Sequence, residues 1–297
     1  MSSQIRIGDL TVNRLGFGAM RVLGDPNIWG PPKDPANAKK VLRRAYDLGA
    51  NFFDTAESYG PQTDEFIIAE AMHPYPKDLV IATKCGLVRP KPGRWDEDAR
   101  PEKLKNDLEG SLTRLKLDCL HLWQLHAPDP KVPIEESIGV MADAQRAGKV
   151  RHIGVSNFDV PELERARKVA TIVSVQNRYS LTDRSSEDVL AHCEKLGIAF
   201  VPWYPLGAGS DLRNAKMKNL AKTLGATPAQ VALAWLLHQP TVAAPIIGAT
   251  KLAHLEDALG AVALKLEAAE LAALEAPYKP HPVRGMSGPT PQQMGRS

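Results

Sequence analysis

Short apolar runs alternate along the chain with longer segments in which apolar residues recur at helical spacing. Eight of the runs have the length and flanking turn residues of buried strands. They occupy residues 14–20, 51–56, 79–86, 119–127, 150–158, 172–179, 199–206 and 242–249. Helix-like segments lie between them and include 36–50, 102–117, 134–148, 161–170, 185–197 and 226–238. This alternation predicts a parallel sheet covered by helices.

The number of strands favours one closed α/β barrel of the (β/α)₈ TIM type. The 297 residues of the chain are an ordinary length for such a domain. A doubly wound open sheet is the alternative, but one that binds a dinucleotide usually carries a Gly-x-Gly-x-x-Gly turn. The Gly-x-Gly sequences at 16–18 and 207–209 both lack the third glycine. We expect one domain over residues 1–297, with a loop-like tail from about residue 277.

Composition and charge argue against several functional classes. A net charge of +3 gives no basic surface typical of proteins that bind nucleic acid or anionic membranes. No apolar run approaches the ~18 residues of a membrane span, and no signal-like stretch opens the chain. The sparse cysteines, Cys85, Cys119 and Cys193, fit reduced thiols, so we expect a cytoplasmic protein. The sequence has neither a His-x-His pair nor zinc-binding Cys/His spacing, and no metal site is predicted.

Polar residues stand where three consecutive strands are predicted to end. Asp54, Lys84 and His126 occupy these ends, and Tyr59 lies in the loop after the first of them. Active sites of (β/α)₈ barrels lie at the carboxyl ends of the strands. Because side chains alternate along a strand, these three residues share a face with the apolar residues two positions earlier. We expect the four side chains to converge at one mouth of the barrel.

Together these four side chains suit the reduction of a carbonyl group by hydride. A free phenol has a pKa of about 10, and a nearby ammonium lowers it. Lys84 is placed to be that ammonium and Asp54 to hold it, so that Tyr59 acts as a general acid and His126 binds the substrate oxygen. Taken singly, each residue also has a structural explanation, such as a turn aspartate or a solvated lysine.

The motifs around these residues resemble the aldo-keto reductase superfamily of nicotinamide-dependent carbonyl reductases. They are FDTAESYG, IATKCG, LWQLHAPD, HIGVSNF, SVQNRYS, VPWYPLGAG and GATPAQVALAWLLH. The similarity extends from about residue 14 to about residue 262. It implies a (β/α)₈ barrel in which the catalytic residues are Asp54, Tyr59, Lys84 and His126.

The resemblance also implies a set of contacts to an extended nicotinamide cofactor. The matching positions are Ser156, Asn157, Gln176, Trp203, Leu206, Gly207, Ser210, Gly248, Ala249 and Thr250. Within this set, Trp203 takes the place of the tyrosine that commonly stacks on the nicotinamide, and its larger ring suits the same contact. The last three positions begin a helix, whose free amides can bind phosphate.

One departure from the family bears on the choice of cofactor. Many NADP-dependent members carry a Lys and a later Arg that bind the 2′-phosphate, and here those positions hold Gly248 and His254. Ala258 replaces the usual Asn that contacts adenine, while Lys251 is close enough in sequence to supply charge. We predict NADP(H) with a modest preference, and NAD(H) stays open as an alternative.

The substrate is expected to be a small carbonyl compound. The pattern I-W-G-P-P, with VQNRYS and GATPAQVALAWLLH, is similar to bacterial members that reduce pyridoxal, so an aromatic aldehyde is the first expectation. Trp29 and Trp95, in the loops after the first and third strands, are the predicted substrate-lining residues. Arg89 and Lys91 either meet an anionic group or are solvated loop charges.

A second hypothesis comes from regulation rather than turnover. Some proteins of this fold act as cofactor-sensing regulatory subunits of channels with weak reductase turnover. The short tail offers no evident docking segment, and we expect a monomer or weak oligomer.

Overall fold

The computed structural model describes residues 4–213 and 215–276, so the tail predicted from about residue 277 lies outside the described residues. The strands are β1 Gln4–Ile7, β2 Leu10–Asn13, β3 Gly16–Gly18, β4 Phe52–Asp54, β5 Val80–Cys85, β6 Leu87–Val88, β7 Asp96–Glu97, β8 Leu120–Leu125, β9 Val150–Ser156, β10 Ile172–Gln176, β11 Ala199–Phe200 and β12 Ile246–Ile247. The α-helices are α1 Pro35–Asp47, α2 Thr63–Met72, α3 Pro101–Leu115, α4 Ile134–Arg146, α5 Val160–Arg167, α6 Glu187–Leu196, α7 Ser210–Arg213, α8 Ala215–Thr223, α9 Pro228–His238, α10 Leu252–Leu259 and α11 Ala268–Glu275. None of the described helices is long and apolar enough to cross a membrane.

Eight parallel strands form the central sheet, in the order β11-β10-β9-β8-β5-β4-β3-β12. The two ends of this order meet, because Ala243 N donates to Phe200 O over 2.8 Å and Ile246 N donates to Pro202 O over 3.1 Å. The sheet therefore closes into a (β/α)₈ barrel. The predicted barrel is confirmed, and the open doubly wound alternative is wrong.

Alternate side chains of the strands pack on opposite sides of the sheet. Phe52, Val80 and Leu122 belong to the cluster that fills the inside of the barrel. Phe53 and Trp123, their neighbours in sequence, belong to the larger cluster between sheet and helices. This is the alternation expected from the sequence, and it leaves the carboxyl ends of the strands to carry polar side chains inward.

A hairpin of β1 and β2 covers the amino-terminal end of the barrel. Its residues Ile7, Leu10 and Val12 are at most 5 % exposed and join the inner cluster beside Phe52 and Val80, which begin their strands. The sequence analysis did not include this hairpin. Since it closes one end with apolar side chains, only the opposite end is left for a functional site.

Two of the predicted helices begin with reciprocal caps that the sequence encodes. In α9, Thr227 Oγ1 accepts from Gln230 N while the Gln230 side chain accepts from Thr227 N. Asp159 and Glu162 form the same arrangement at α5. In both helices a proline lies in the first turn, where its missing N–H costs no hydrogen bond.

Helix α2 was not among the predicted helices, because its polar residues do not mark a solvent face. Asp64 and Glu65 are 0 % exposed, as deeply buried as Ile68. Glu65 accepts from Thr83 Oγ1 of β5 over 2.6 Å and from Arg114 Nε of α3 over 2.7 Å. A buried polar link thus ties two helices to the sheet beneath the mouth of the barrel.

We expect Arg114→Ala to destabilise the fold strongly, because it leaves the Glu65 carboxylate buried without its cation. Removing one partner of a buried ion pair typically costs about 3–5 kcal/mol. Urea unfolding measures the change in the free energy of unfolding. Arg151→Ala is the matched control, since it breaks an ion pair with Asp9 in which both side chains are about half exposed. Equal losses in the two variants would contradict the structural role assigned to Arg114.

Candidate active site

The four predicted catalytic side chains converge at the carboxyl end of the barrel. Lys84 Nζ lies 2.6 Å from Asp54 Oδ2 and 3.2 Å from Tyr59 Oη, and it also donates to the carbonyl of Thr55 over 2.9 Å. The imidazole of His126 faces the Tyr59 ring edge-on, with ring centres 5.7 Å apart. All four residues are at most 7 % exposed.

Two amides complete the surroundings of the Asp54 carboxylate. Gln176 Nε2 donates to Asp54 Oδ1 over 2.7 Å, and Gln124 Nε2 lies 3.4 Å from the same oxygen. Gln176, which the resemblance assigned to the cofactor, therefore also contacts the carboxylate of Asp54. Since Oδ2 is bound by Lys84, both oxygens of the buried anion have donors.

Burial dominates the protonation of the site. It raises the pKa of Tyr59 well above 10, an effect that Asp54 and Asp64 reinforce. Burial also lowers the pKa of Lys84, although Asp54 opposes this. From the sequence we expected a lowered pKa of the phenol, whereas in the structure burial dominates and the pKa is raised. Tyr59 is consequently a protonated phenol at neutral pH.

His126 is neutral in this environment. Burial lowers its pKa well below 6.5, and the positive charges of Lys84 and Arg89 lower it further. Its Nδ1 lies 3.4 Å from the Ser58 hydroxyl. If that hydroxyl donates to Nδ1, the proton of the neutral ring is on Nε2, which makes this nitrogen a hydrogen-bond donor.

A cavity of about 260 Å³ opens beside these residues. It is lined by Gly18, Met20, Arg21, Asp54, Tyr59, His126, Ser156, Asn157, Gln176, Trp203, Tyr204, Pro205, Leu206, Ala208, Gly209, Leu212, Ile246, Ile247 and Gly248. Six positions predicted to bind a cofactor are among them, from Ser156 at the end of β9 to Gly248 after β12. The volume is close to that of small-molecule pockets, which begin at about 300 Å³.

The other predicted cofactor residues lie outside the lining of this cavity. They are Gly207, Ser210, Ala249, Thr250, Lys251 and His254. The Ser210 hydroxyl donates to the carbonyl of Gly207 over 2.7 Å, so it stabilises its own loop. Lys251 and His254 are exposed at the amino end of α10. Their assignment stays a prediction.

Asn157 joins the ends of three strands at the edge of the cavity. Its Nδ2 donates to His126 O over 2.9 Å, and its Oδ1 accepts from Trp203 Nε1 over 3.1 Å. Its backbone has a φ of 61°, a left-handed conformation that asparagine tolerates better than most residues. The side chain of Asn157 thus links the Trp203 ring to the backbone of His126.

The predicted substrate-lining tryptophans enclose a buried arginine. Trp95 is 2 % exposed and lies edge-on to Tyr59, with ring centres 6.1 Å apart. The Arg89 guanidinium carbon lies 3.6 Å from the centre of the Trp95 ring and 5.6 Å from that of Trp29. The alternative that Arg89 is a solvated loop charge is wrong, because only 8 % of the residue is exposed.

Two residues that the sequence analysis did not single out face the cavity. Arg21 Nη2 donates to Tyr204 Oη over 3.3 Å, and no carboxylate of the described residues forms an ion pair with Arg21. Arg21 directly follows the first predicted strand. A cation at the end of a barrel strand is the signal in the sequence that could have identified it.

A third residue missed from the sequence, Asp64, lies beneath the catalytic residues. Its Oδ2 accepts from Thr55 Oγ1 over 2.7 Å, while its Oδ1 has no hydrogen-bond partner among the described residues. Burial, with a smaller contribution from the charges of Glu65 and Asp54, raises the pKa of Asp64 to about 7. The side chain is therefore protonated below neutral pH.

No metal centre accompanies the cavity in the described part of the chain. Residues 4–213 and 215–276 contain no group of three or more His, Cys, Asp or Glu side chains arranged to hold an ion.

The chain is similar in sequence to known proteins. The model described as "Aldo/keto reductase family" matches residues 14–279. The pyridoxine 4-dehydrogenase of Escherichia coli is 40 % identical over 284 residues, which cover 92 % of this chain and 98 % of the relative. An uncharacterized oxidoreductase of Schizosaccharomyces pombe is 41 % identical over 272 residues, covering 91 % of this chain and 88 % of that protein.

Solved structures have the same architecture. A thermostable aldo-keto reductase in complex with the inhibitor epalrestat has a TM-score of 0.80 and 32 % identity, covering 92 % of this chain and 98 % of its own. An aldo/keto reductase from Klebsiella pneumoniae, in complex with NADP and acetate, has a TM-score of 0.81 and 26 % identity, covering 96 % and 98 %.

We expect Asp64→Asn to remove a pH dependence of stability. The folded protein keeps the Asp64 proton up to about pH 7, whereas a free aspartate releases it near 3.8. Stability of the wild type should therefore fall as pH rises between these values and stay level above them. Asparagine cannot ionise, so the free energy of unfolding of the variant should rise relative to that of the wild type across that pH window, by at most about 4 kcal/mol.

Urea unfolding at about pH 5 and about pH 8 measures this difference. Asp143→Asn, at a side chain that is 68 % exposed, is the control. An Asp64→Asn protein with the same pH slope as the wild type would show that Asp64 is ionised throughout.

Proposed function

The chain belongs to the aldo/keto reductase family, and from this premise we propose that it reduces an aromatic aldehyde with NADPH, using Tyr59 as the proton donor. NAD(P)H-dependent carbonyl reduction is the activity of the family. The observation that supports the proposal is the position of Lys84 Nζ, within hydrogen-bonding distance of both Asp54 and Tyr59 at the wall of the cavity.

The residues around the cavity fit a nicotinamide cofactor. Ser156, Asn157 and Gln176 place hydroxyl and amide groups on one wall, and Trp203 presents an aromatic ring 7 % exposed on another. Arg21 forms no ion pair with a carboxylate of the described residues, and its guanidinium is suited to bind a phosphate group. When bound, the reduced nicotinamide supplies the hydride.

Tyr59 is suited to donate a proton rather than to remove one. Its raised pKa keeps the phenol protonated at neutral pH, so the proton is present when the substrate arrives. Reduction places two electrons on the carbonyl carbon as a C–H bond, and the oxygen takes the Tyr59 proton to form the alcohol. The phenolate left behind is stabilised by Lys84 at 3.2 Å and regains a proton from solvent.

His126 and Lys84 have separate roles in the proposed reduction. The neutral imidazole can donate a hydrogen bond to the substrate oxygen without competing with Tyr59 as an acid. Asp54 holds the ammonium in place, and the amides of Gln176 and Gln124 hold Asp54. Each group near the reacting oxygen is therefore fixed by a partner behind it.

The substrate proposal is supported by the similarity to a pyridoxine 4-dehydrogenase and by the aromatic residues around Tyr59. Pyridoxal, an aromatic aldehyde, is the acceptor to test first. The cofactor proposal is supported by the neighbour solved with NADP and by the exposed side chains of Lys251 and His254 at the start of α10.

We expect Tyr59→Phe to lose at least about 100-fold in kcat for aldehyde reduction, because general acid catalysis typically contributes about 10²–10⁴. Affinity for NADPH should stay unchanged, since the ring remains and no predicted cofactor contact is removed. Steady-state rates and fluorescence titration measure the two quantities. Tyr75→Phe, which removes a hydroxyl bound to Leu115 O, is the control. A near wild-type rate in Tyr59→Phe would favour the regulatory-subunit hypothesis.

Lys251→Ala should weaken binding of NADPH about tenfold and leave binding of NADH unchanged. One charge-assisted contact to the 2′-phosphate is worth roughly 1.5–3 kcal/mol, and partial exposure of the lysine places the effect at the low end. Dissociation constants for both cofactors test this, with the exposed Lys195→Ala on α6 as the control. Equal weakening of NADPH and NADH would show that Lys251 does not contact the phosphate.

A further inference from the structure

Arg89 is a buried cation that none of the roles described above uses. It follows β6 in the loop between β5 and α3, and only 8 % of it is exposed. Burial lowers its pKa to about 10, so it remains charged at neutral pH. Within the described residues no carboxylate forms an ion pair with it. A charge buried without a counter-ion is costly, and its presence calls for a physical reason.

The guanidinium donates four hydrogen bonds to main-chain carbonyls from three segments of the chain. Nη2 donates to Asn27 O over 2.7 Å and Nη1 donates to Ile28 O over 3.1 Å, both in the loop after β3. Nη1 also donates to Ser58 O over 3.2 Å, and Nε donates to Arg94 O over 3.0 Å. These four bonds occupy four of the five N–H groups of the guanidinium, so Arg89 is not free to bind a substrate anion.

These bonds fix the loop that carries Trp95. Arg94 O is the carbonyl directly before Trp95, and the guanidinium carbon lies 3.6 Å from the centre of the Trp95 ring. Trp95 in turn lies edge-on to Tyr59 at 6.1 Å and to His126 at 6.4 Å. A continuous set of contacts thus leads from Arg89 to the proton donor and the neutral imidazole.

The charge of Arg89 acts on the same two residues, Tyr59 and His126, to which its contacts lead. Although burial raises the pKa of Tyr59, the positive charge of Arg89 lowers it. The same charge helps to keep His126 neutral. Lys84 pairs with the carboxylate of Asp54, whereas no carboxylate of residues 4–213 and 215–276 pairs with Arg89, so the charge of Arg89 is less compensated.

We propose that Arg89 is a positioning residue, which joins the loops after β3, β4 and β5 and through Trp95 holds Tyr59 and His126 in their reactive orientation. The inference rests on the proposed function, because it assigns Arg89 to the reduction that Tyr59 carries out. It also gives a reason for burying an arginine here, since the planar guanidinium directs three nitrogens at carbonyls of three segments, whereas lysine carries a single nitrogen.

The test compares Arg89→Gln with Arg100→Gln, which removes a guanidinium 66 % exposed at the end of the same loop. Pyridine-4-carbaldehyde is the aldehyde and NADPH the cofactor. We expect Arg89→Gln to lower kcat about 10- to 100-fold, because a small misplacement of catalytic groups has effects of that size. The dissociation constant for NADPH should change less than about twofold, since Arg89 does not line the cofactor cavity. Loss of NADPH binding in parallel with kcat would overturn the proposal.

A double-mutant cycle tests whether Arg89 acts through Trp95. In the background of Trp95→Ala, Arg89→Gln should lower kcat by a clearly smaller factor than in the wild type, because only the direct effect of the Arg89 charge then remains. Full, additive effects of the two substitutions would overturn the proposal. If Arg89→Gln does not fold, Arg89→Lys serves for the same measurements. A kcat of Arg89→Lys equal to that of the wild type would overturn the proposal.

Amide hydrogen exchange separates this inference from the proposed function. Residues 25–31 and 86–98 should exchange faster in Arg89→Gln than in Arg100→Gln, whether or not the protein reduces aldehydes. A wild type without turnover would refute the reductase assignment, and faster exchange would still support the joining of the loops by Arg89. Unchanged exchange in both segments would overturn it.

Discussion

The ion pair between Asp54 and Lys84 is the interaction on which the candidate site depends. Both side chains are at most 2 % exposed, and a buried ion pair is favourable only if its remaining hydrogen-bonding groups are satisfied. Here Lys84 also donates to Thr55 O and Tyr59 Oη, and the second oxygen of Asp54 accepts from Gln176. Each of these partners belongs to a strand end or to the loop that follows it. The pair therefore requires that several strands end at the same level, which links the electrostatics of the site to the register of the barrel.

That register is set by apolar packing rather than by the charges. In the sheet, Asp54 is opposite Ala82, and Lys84 is opposite Gln124. The inner face below them consists of apolar side chains such as Phe52 and Leu122. A slip of one residue in any strand would turn its apolar side chains outward and its polar end away from the mouth. The free energy gained by filling the barrel thus also holds the catalytic groups together.

The part of the site that follows strand alternation could be predicted from the sequence, and the part that depends on loops could not. Asp54, Lys84 and His126 stand at strand ends, where alternation gives the direction of each side chain. Asp64 and Arg89 were missed or misjudged because charged residues in helices and loops are usually exposed. The burial of Asp64 depends on the Thr55 hydroxyl, and that of Arg89 depends on a set of loop carbonyls. The orientation of these groups leaves no pattern in the sequence.

The charges around Tyr59 can be summed to show which of them remains effective. Asp54 compensates Lys84, and His126 is neutral because its pKa is lowered. Asp64, with a pKa of about 7, carries no charge below neutral pH. Arg89 remains as a buried charge that forms no ion pair with a carboxylate of the described residues. It lies four residues along the sequence from the end of β5 and is in contact with Trp95. A reaction that leaves negative charge on a buried oxygen is favoured by a fixed positive charge in a medium of low dielectric constant. The arrangement therefore supports formation of the Tyr59 phenolate, although burial alone disfavours it.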